Sequence, residues 1–366
     1  MIIKTITCHQ SSNHGAMLQA YALLHYLRTL GNDVSVIDYR PPYMSLNHRI
    51  PPQYDRWGIK QLYLLSKFPG DMAGWRRHRV LLSFYNQYIE ATPEKYTSIE
   101  QLRANPPVAD LYIAGSDQIW NTSFQNGKDA AFYLDFGSPR RKISYAASFA
   151  TESLESGTEE FVKKNLSNLD AISVRESSGL RILNELGYDG EVVLDPVFLL
   201  SKEQWDQFDT KTAAKERYVL TYDFENRKSV IGHIAKRLAS ASGCKVYSVS
   251  PYKRGYADKS FVNVGPDVFI TLIKNAQCVI CNSFHGIAFS IIYGKDFFVV
   301  NRKDGLNVRM RDLLMHYDIN YRLISENASN AQLLSEIDYG AIYLQLERDI
   351  KASKQYLLDQ IELAKR

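Results

Sequence analysis

The sequence predicts an α/β protein with two parallel-sheet domains that face a cleft. Three observations predict this class: a strand–loop–helix–strand pattern opens the chain, a second series of such units begins near residue 218, and a stretch without clear periodicity separates them. Parallel strands need a crossover connection, and a right-handed helical one is usual. The length of 366 residues also favours two domains over one.

The first strand–helix–strand unit occupies the N-terminal forty residues. Residues 2–8 alternate as a strand and are followed by the polar loop HQSSNHG. Apolar side chains then recur at helical spacing over residues 17–27, and Gly31 provides a stop signal. The next predicted strand, VSVIDY at residues 34–39, ends before a Pro-Pro pair. This order predicts a parallel sheet from the start of the chain.

The remainder of the first predicted domain combines an insertion with a return of strand–helix alternation. Residues 43–107 are rich in aromatic and basic side chains, and we predict inserted helices there. Two helical patterns follow, near residues 157–168 and 176–186. Four further strands are predicted at residues 110–114, 143–149, 171–174 and 191–194.

The second domain is predicted to begin after DPVFLLSKEQWDQFDT, the segment without periodicity. We place the change of domain between residues 197 and 217, with domains at 1–200 and 201–338. Helical periodicity makes the tail, residues 339–366, a helix that packs back on the first domain. Strands are predicted at 218–222, 245–249, 278–281 and 297–300, and helices at 226–241, at 266–276 and after residue 285.

Composition excludes several classes of protein. The net charge is +4, and no basic face interleaved with aromatic residues appears, so nucleic acid is not an expected partner. No run of about 18 apolar residues occurs, and the N-terminus lacks a signal-peptide pattern, so we expect a cytoplasmic protein. Cys278 and Cys281 form a CxxC, but its apolar surroundings indicate a buried strand. Because no second pair completes a zinc site, we expect no metal.

Two loops have the form of a small-anion site. In parallel α/β sheets, ligands bind beyond the carboxyl ends of the strands, where helix N-termini offer free N–H groups. Residues 11–15, SSNHG, and residues 282–286, NSFHG, each connect a predicted strand to a helix. Neither contains GxGxxG, and no GxxxxGK[ST] occurs, which argues against a dinucleotide or a P-loop nucleotide. A small phosphate or carboxylate fits these turns better.

Two histidines in these loops are candidates for proton transfer. Histidine titrates near neutral pH, so His285 can donate or accept a proton under physiological conditions. A helix-capping or core histidine is the alternative interpretation of His285, and the same alternative applies to His14. Spacing alone leaves both interpretations open.

Three further polar residues follow predicted strands. Arg175 could hold a carboxylate or phosphate through two parallel hydrogen bonds, or could pair with an acid such as Glu176. Asp117 and Asn121, in the segment GSDQIWN, could bind sugar hydroxyls or cap the following turn. The sequence predicts their place at strand ends and leaves their roles open.

Several segments of the chain are specific when they are taken together. They are NHGAMLQAYALLHYLRTLG, VSVIDYRP, DLYIAGSDQIWN, ISYAASFA, ISVRESSGLRILNELG, VLDPVFLL and CNSFHGIAFSIIYGKDFFVV. In this order they resemble the polysaccharide pyruvyl transferase family, over residues 5–315. The segments GSDQIWN, SVRE and NSFHG carry most of the specificity in combination, although each is weak alone.

The resemblance implies a glycosyltransferase-B-like pair of Rossmann-like domains with the site between them. It also implies phosphoenolpyruvate as the donor and a sugar or lipid-linked oligosaccharide as the acceptor, with a pyruvate ketal and phosphate as products. The acceptor would be a precursor of a surface polysaccharide such as a capsule or exopolysaccharide. A lipid-linked acceptor would hold the protein at the membrane surface. This chemistry needs no metal and no organic cofactor.

The resemblance also assigns roles to individual residues. Carried over by position, His285 resembles the family's catalytic histidine, which acts as a general acid, and Arg175 resembles its donor-binding arginine. The donor side would also include Ser283, Phe284 and Gly286. The acceptor or cleft side would include Asn13, His14, Gly15, Ser116, Asp117 and Asn121.

One position departs from the family pattern. Much of the family has an arginine two residues before the catalytic histidine, where this chain has Ser283, and Arg302, Lys303 or Arg309 could replace that contact. Because of this departure, a catalytically silent glycan-binding relative is one alternative function. A nucleotide-sugar glycosyltransferase on the same architecture is another, which the missing diphosphate-binding motif disfavours.

Overall fold

In the computed structural model the described residues form two main parallel sheets, which confirms the predicted fold class. Among the described residues each sheet has five strands, and both sheets have the same strand order. The predicted domain limits, at residues 200 and 338, stay a prediction. The structure describes residues 1–9, 13–44, 76–210, 216–223, 230–302 and 307–366.

The first sheet is built from the N-terminal part of the chain. Its strands are β1 (Ile2–Ile6), β2 (Asp33–Tyr39), β3 (Ala91–Tyr96), β4 (Leu111–Ala114) and β5 (Arg141–Ser144). They lie in the order β3-β2-β1-β4-β5. Two short parallel strands, β6 (Ser173–Val174) and β7 (Glu191–Val192), continue from β5 through single bridges. The sheet therefore has the doubly wound order of a Rossmann-like fold.

The helices of this half alternate with its strands. They are α1 (His14–Thr29), α2 (residues 76–88), α3 (Ile99–Ala104), α4 (Glu159–Leu166), α5 (Ser177–Glu185) and α6 (Lys202–Trp205). The Asn13 side chain accepts a hydrogen bond from the Gly15 amide at 2.9 Å and so caps α1. Almost every residue of α1 up to Leu27 is buried, which is typical of a helix that is surrounded by the rest of the protein on all sides.

The second sheet repeats this arrangement. Its strands are β8 (Tyr218–Tyr222), β9 (Lys245–Val249), β10 (Lys259–Phe261), β11 (Cys278–Cys281) and β12 (Asp296–Val299). They lie in the order β10-β9-β8-β11-β12. The CxxC cysteines are buried on the internal strand β11, as the sequence predicts. The helices are α7 (Val230–Ser242), α8 (Pro266–Asn275), α9 (Phe284–Ile292), α10 (Val308–His316), α11 (Asn330–Leu333) and α12 (Tyr339–Lys365).

The insertion at residues 43–107 differs from the predicted set of helices. Residues 45–75 lie outside the described residues, and α2 and α3 are helical, but strand β3 occupies an edge of the first sheet. Its sequence, ATPEKY, contains a proline and charged side chains, which edge strands tolerate and interior strands do not. Strand β10, at an edge of the second sheet, escapes the periodicity analysis for a similar reason, because only three residues form it.

The predicted strand at residues 143–149 is also shorter in the structure. Strand β5 ends at Ser144, and Ala146 and Ala150 adopt left-handed conformations with φ of 52° and 59°. Such conformations interrupt an extended ladder. Ala147 keeps only single bridges to Asp117 and Val174.

The C-terminal helix α12 packs back on the first half of the chain, as predicted. Tyr356 Oη donates to the Ser144 carbonyl oxygen at 2.9 Å, and Ser353 Oγ accepts from the Leu194 amide at 2.9 Å. Near the start of the helix, Tyr343 Oη donates to a carbonyl of α9 at 3.2 Å. Helix α12 therefore joins both halves. Within the described ranges, every helix is too short or too polar to cross a membrane.

Candidate functional site

The candidate site lies where loops from both sheets meet. The strand order reverses between β1 and β4 in the first sheet and between β8 and β11 in the second, and such reversals open a crevice at the carboxyl ends. Gly15 follows β1, Asp117 follows β4, and His285 follows β11. Arg175 and Asp195 follow the short strands β6 and β7. The structure brings these five residues together.

Asp195 is the centre of a buried polar network. Its Oδ2 atom lies 2.5 Å from Arg175 Nη1 and 3.6 Å from His285 Nε2. The same oxygen accepts a hydrogen bond from Ser116 Oγ at 3.1 Å, and Oδ1 accepts one from the Val197 amide at 3.1 Å. The carboxylate therefore links Arg175, to which the resemblance assigns donor binding, with His285, to which it assigns general-acid catalysis.

The surroundings of Asp195 keep its carboxylate ionised. Burial on its own raises the pKa of a carboxyl group, but the neighbouring His285 and Arg175 outweigh it and hold the pKa of Asp195 well below its usual range. Burial alone would lower the pKa of Arg175, but the carboxylates around it, Asp195 foremost, raise that pKa above its usual value. The pair therefore remains charged at neutral pH.

The Arg175 guanidinium is enclosed but not saturated with hydrogen bonds. It lies 4.5 Å from the centre of the Phe284 ring, a cation–π contact. The carboxylates of Glu176 and Asp117 are 3.8 and 3.9 Å away, further than that of Asp195. Nε and Nη2 have no hydrogen-bond partner among the described residues. Arg175 thus pairs with an acid, chiefly Asp195 rather than Glu176, and its Nε and Nη2 hydrogens are not used by any described residue.

His285 lies in the first turn of α9 and packs against the first turn of α1. Its ring touches the backbone at Gly15, where an added Cβ atom would lie 2.0 Å from His285 Nδ1. The Phe284 ring meets it edge-on at 5.2 Å between ring centres. The side chain is 5% exposed, and no described residue hydrogen-bonds to Nε2. The absence of a side chain at Gly15 is therefore what admits the imidazole.

We expect Gly15→Ala to lower the free energy of unfolding by about 1–3 kcal/mol, because the added methyl group overlaps the His285 ring. Chemical denaturation of the purified proteins measures this difference. Gly255→Ala is the matched control, since nothing lies within 4 Å of a Cβ atom there, and it should change stability by less than about 0.5 kcal/mol. If both variants are as stable as the wild type, the His285 ring moves away from the added methyl group without a measurable loss in the free energy of unfolding.

Two further charged residues complete the network. Asp117 has a φ of 74°, a left-handed conformation that is unfavourable for a side chain other than glycine and that accumulates at functional sites. Its Oδ1 atom lies 3.5 Å from Arg309 Nη1 on α10. Burial and the nearby Arg175 lower the pKa of Arg309 to about 10, so it stays protonated at neutral pH. Two arginines, Arg175 and Arg309, therefore lie within 4 Å of the same oxygen of Asp117.

A cavity of about 440 Å³ opens beside this network, within the range of roughly 300–1,000 Å³ that small-molecule sites have. His285 is not among its lining residues, but Asp195 and Phe284 line it and also contact His285. Polar side chains from the network, α5, α10 and α12 line the cavity together with apolar ones. The polar ones are Arg175, Glu176, Ser177, Asp195, Arg309, Asp312, His316, Asp349 and Ser353.

Three residues predicted for the cleft make structural contacts outside this cavity. Asn13 caps α1, and the Asn121 side chain closes a turn by accepting from the Ser123 amide at 3.0 Å. His14 Nε2 lies 2.9 Å from the Val264 carbonyl oxygen, so it carries the hydrogen, and Nδ1 accepts from Tyr222 Oη at 3.1 Å. Burial lowers the pKa of His14 to about 4, which leaves it neutral at physiological pH.

Ser283, in the loop before His285, occupies the position where much of the family has an arginine. Ser283 is the N-cap residue of α9, without a side-chain capping bond, and Gly286 allows the helix to approach β11 closely. Of the three cations that could replace the family's arginine, Arg309 belongs to the network. Lys303 lies outside the described residues, and Arg302 does not line the cavity.

Asp195 is the site residue that the sequence analysis missed. It lies in the quoted segment VLDPVFLL, directly after a predicted strand and before a proline. An ionisable side chain at the carboxyl end of a parallel strand was the signal used for Arg175 and Asp117, and it applies equally here. Asp195 also accepts a hydrogen bond at the start of a 3₁₀ turn. Because this is the ordinary role of an Asp before a Pro, the sequence gives no sign that Asp195 also contacts Arg175 and His285.

Comparisons with solved structures agree with this architecture. A putative UDP-N-acetylglucosamine 2-epimerase from Listeria monocytogenes has a TM-score of 0.52 at 10% sequence identity, over 96% of this chain and 89% of that one. The spinosyn forosaminyltransferase SpnP has a TM-score of 0.50 at 13% identity, over 100% of this chain and 99% of that one. At such identities the likeness shows the fold alone, a glycosyltransferase-B-like pair of Rossmann-like sheets. A comparison with curated proteins finds no match.

The sequence also matches a family model. The model describes polysaccharide pyruvyl transferases and matches residues 13–304, which is most of the chain. The matched span includes every residue of the Asp195 network except Arg309, which lies on α10 just beyond it. This chain therefore belongs to the polysaccharide pyruvyl transferase family.

Proposed function

We propose that this protein transfers a pyruvyl group from phosphoenolpyruvate to two hydroxyl groups of a sugar, forming a pyruvate ketal and releasing phosphate. The observation that carries the proposal is the buried Arg175–Asp195–His285 network, in which one carboxylate contacts both an anion-binding group and a proton donor. Membership of the pyruvyl transferase family supports the same reaction class.

Two arginines would bind the donor. Phosphoenolpyruvate carries a carboxylate and a phosphate, and the planar guanidinium matches either anion through paired hydrogen bonds. Arg175 and Arg309 both line the cavity, and Arg175 has N–H groups that no described residue occupies. Arg309 would supply the second positive charge that the family's arginine supplies at the position of Ser283.

His285 would be the general acid. Protonation of the methylene carbon of phosphoenolpyruvate leaves positive charge on the adjacent carbon, which a sugar hydroxyl then attacks. The Asp195 carboxylate lies 3.6 Å from Nε2 and would hold the imidazole in place for this step. Because His285 does not line the cavity but contacts Asp195 and Phe284, which do, we expect one of these side chains to move when the donor binds.

The wall formed by α10 and α12 suits a sugar acceptor. Asp312, His316 and Asp349 lie there among apolar side chains. His316 Nε2 is 2.6 Å from Asp349 Oδ2, and the Ser177 hydroxyl donates to Asp312, so both carboxylates are held in place. Fixed carboxylates accept hydrogen bonds from sugar hydroxyls. We expect the acceptor to be a cytoplasmic precursor of a surface polysaccharide, free or lipid-linked.

Phosphate release from phosphoenolpyruvate across a panel of acceptor sugars tests the proposal, with mass spectrometry of the sugar to detect the ketal. We expect release that depends on one class of acceptor. Nucleotide release from a nucleotide-sugar panel would instead identify a glycosyltransferase. Tight sugar binding with no turnover of either donor would identify a glycan-binding relative.

A further inference from the structure

Glu176 is a buried carboxylate to which the mechanism above assigns no role. Its Oε1 atom accepts hydrogen bonds from Ser148 Oγ and the Ala150 amide, both at 2.9 Å. Its Oε2 atom has no hydrogen-bond partner among the described residues and lies 3.8 Å from Arg175 Nε. The side chain is 1% exposed and lines the cavity. One oxygen is therefore anchored, and the other is buried with its hydrogen-bonding capacity unused by the described residues.

The proposed reaction leaves one catalytic requirement unmet. A sugar hydroxyl must lose its proton as its oxygen bonds to the carbon of the donor, and a positioned base accelerates that loss. Among the carboxylates that line the cavity, Asp195 is occupied by Arg175 and Ser116, Asp312 by Ser177, and Asp349 by His316 and Tyr317.

We infer that Glu176 Oε2 binds the acceptor hydroxyl and receives its proton, an inference that rests on the proposed pyruvyl transfer. Ser148 and Ala150 hold the other oxygen of this carboxylate by hydrogen bonds. Oε2 therefore has a defined position from which it can orient the acceptor hydroxyl. Glu176 would lie beside the donor-binding Arg175, where acceptor oxygen and donor carbon have to meet. The ligand at this position is a hydroxyl group of a sugar.

The proton transfers balance over the whole reaction. His285 gives one proton to the methylene carbon, the first hydroxyl oxygen bonds to the adjacent carbon, and its proton passes to Glu176. The carbon–oxygen bond to phosphate then breaks, phosphate leaves with the electron pair, and Glu176 returns the proton to it. The second hydroxyl closes the ketal, and its proton restores His285. Phosphoenolpyruvate and a diol thus yield a ketal and hydrogen phosphate.

The pH dependence of kcat/KM should show whether Glu176 acts as this base. Burial raises the pKa of Glu176, while the charges of Arg175 and Arg309 and the hydrogen bonds from Ala150 and Ser148 oppose that rise. A base acts only when deprotonated, so activity should increase with pH through the pKa of Glu176. The acidic limb of kcat/KM should therefore lie above the ordinary range of a carboxyl group.

Glu176→Gln is the test, because glutamine keeps an oxygen for Ser148 and Ala150 but cannot accept the proton. We expect turnover to fall by about 10²–10⁴-fold, affinity for phosphoenolpyruvate to stay within about threefold, and the acidic limb to disappear. The matched control is Glu152→Gln, which removes an exposed carboxylate paired with Arg181 and should leave all three unchanged. Glu176→Asp retains a base at a greater distance and should keep the acidic limb with reduced turnover.

The outcomes separate this inference from the proposed function. If the wild type releases no phosphate from phosphoenolpyruvate with any acceptor, the function fails and the role of Glu176 with it. If the wild type is active and Glu176→Gln stays within a few-fold of it, or loses activity with the acidic limb intact, Glu176 is structural. Should the glutamine variant fail to fold, wild-type turnover in Glu176→Asp would equally overturn the inference.

Discussion

Replacing His285 with alanine is expected to reduce turnover by about 10²–10⁴-fold, the usual loss when a general acid is removed. Donor affinity should change far less, because Arg175 and Arg309, rather than His285, line the cavity. Steady-state kinetics of phosphate release and direct titration with phosphoenolpyruvate measure the two quantities separately.

The control for this variant is His233→Ala, which removes an exposed histidine from α7 and should leave turnover unchanged. Thermal melting confirms that each variant is folded, which matters because His285 packs between Gly15 and Asp195. A folded His285→Ala protein that turns over at nearly the wild-type rate would make His285 a core histidine. A wild type that binds sugars but turns over no donor would instead favour the glycan-binding alternative.

Replacing Arg175 with lysine is expected to weaken phosphoenolpyruvate binding tenfold or more. Lysine keeps the positive charge but lacks the planar guanidinium group, which can form two parallel hydrogen bonds and makes the cation–π contact with Phe284. Hydrogen bonds to a charged group are worth roughly 1.5–3 kcal/mol, which sets the scale of the change. Acceptor affinity should remain nearly the same. Titration of both ligands, donor and acceptor, into the purified variant measures these effects.

The structure also supports a competing account of Arg175, which the same experiment separates. Arg175 Nη1 lies 2.5 Å from Asp195 Oδ2 in a fully buried pair, and disturbing such a pair destabilises a protein strongly. If Arg175 serves only this pair, the lysine variant melts earlier and the folded fraction binds the donor normally. Arg181→Lys, on the exposed face of α5, is the matched control and should change neither quantity.

Much of the fold was predictable because its signals are local. Internal strands such as β8, β9 and β11 have the predicted limits, since short, mainly apolar runs mark buried parallel strands. Edge strands β3 and β10 carry polar or short sequences, so their pairing depends on a neighbour that local periodicity does not reveal. The left-handed turn at Ala146 likewise reflects the packing around it, since alanine itself disfavours that conformation.

The candidate site was predictable only as a set of strand ends. His285, Arg175, Asp117 and Ser116 each follow a strand in the sequence, and the rule that ligands bind beyond strand ends selects them. The same rule also selects Asn13, His14 and Asn121, which serve as a cap, a buried hydrogen-bonded ring and a turn. Residue type and spacing do not distinguish these two groups, because both consist of polar side chains at the same kind of position.

The sequence by itself determined that this chain forms two parallel α/β sheets and belongs to the pyruvyl transferase family, because strand–helix periodicity and ordered motifs are properties of the chain alone. Only the tertiary structure placed Asp195 between Arg175 and His285, set Arg309 beside Asp117, and left one oxygen of Glu176 without a hydrogen-bond partner among the described residues. These contacts join residues that lie 20 to almost 200 positions apart. Charge pairing over such separations depends on how distant segments of the chain pack together, and no local pattern encodes it.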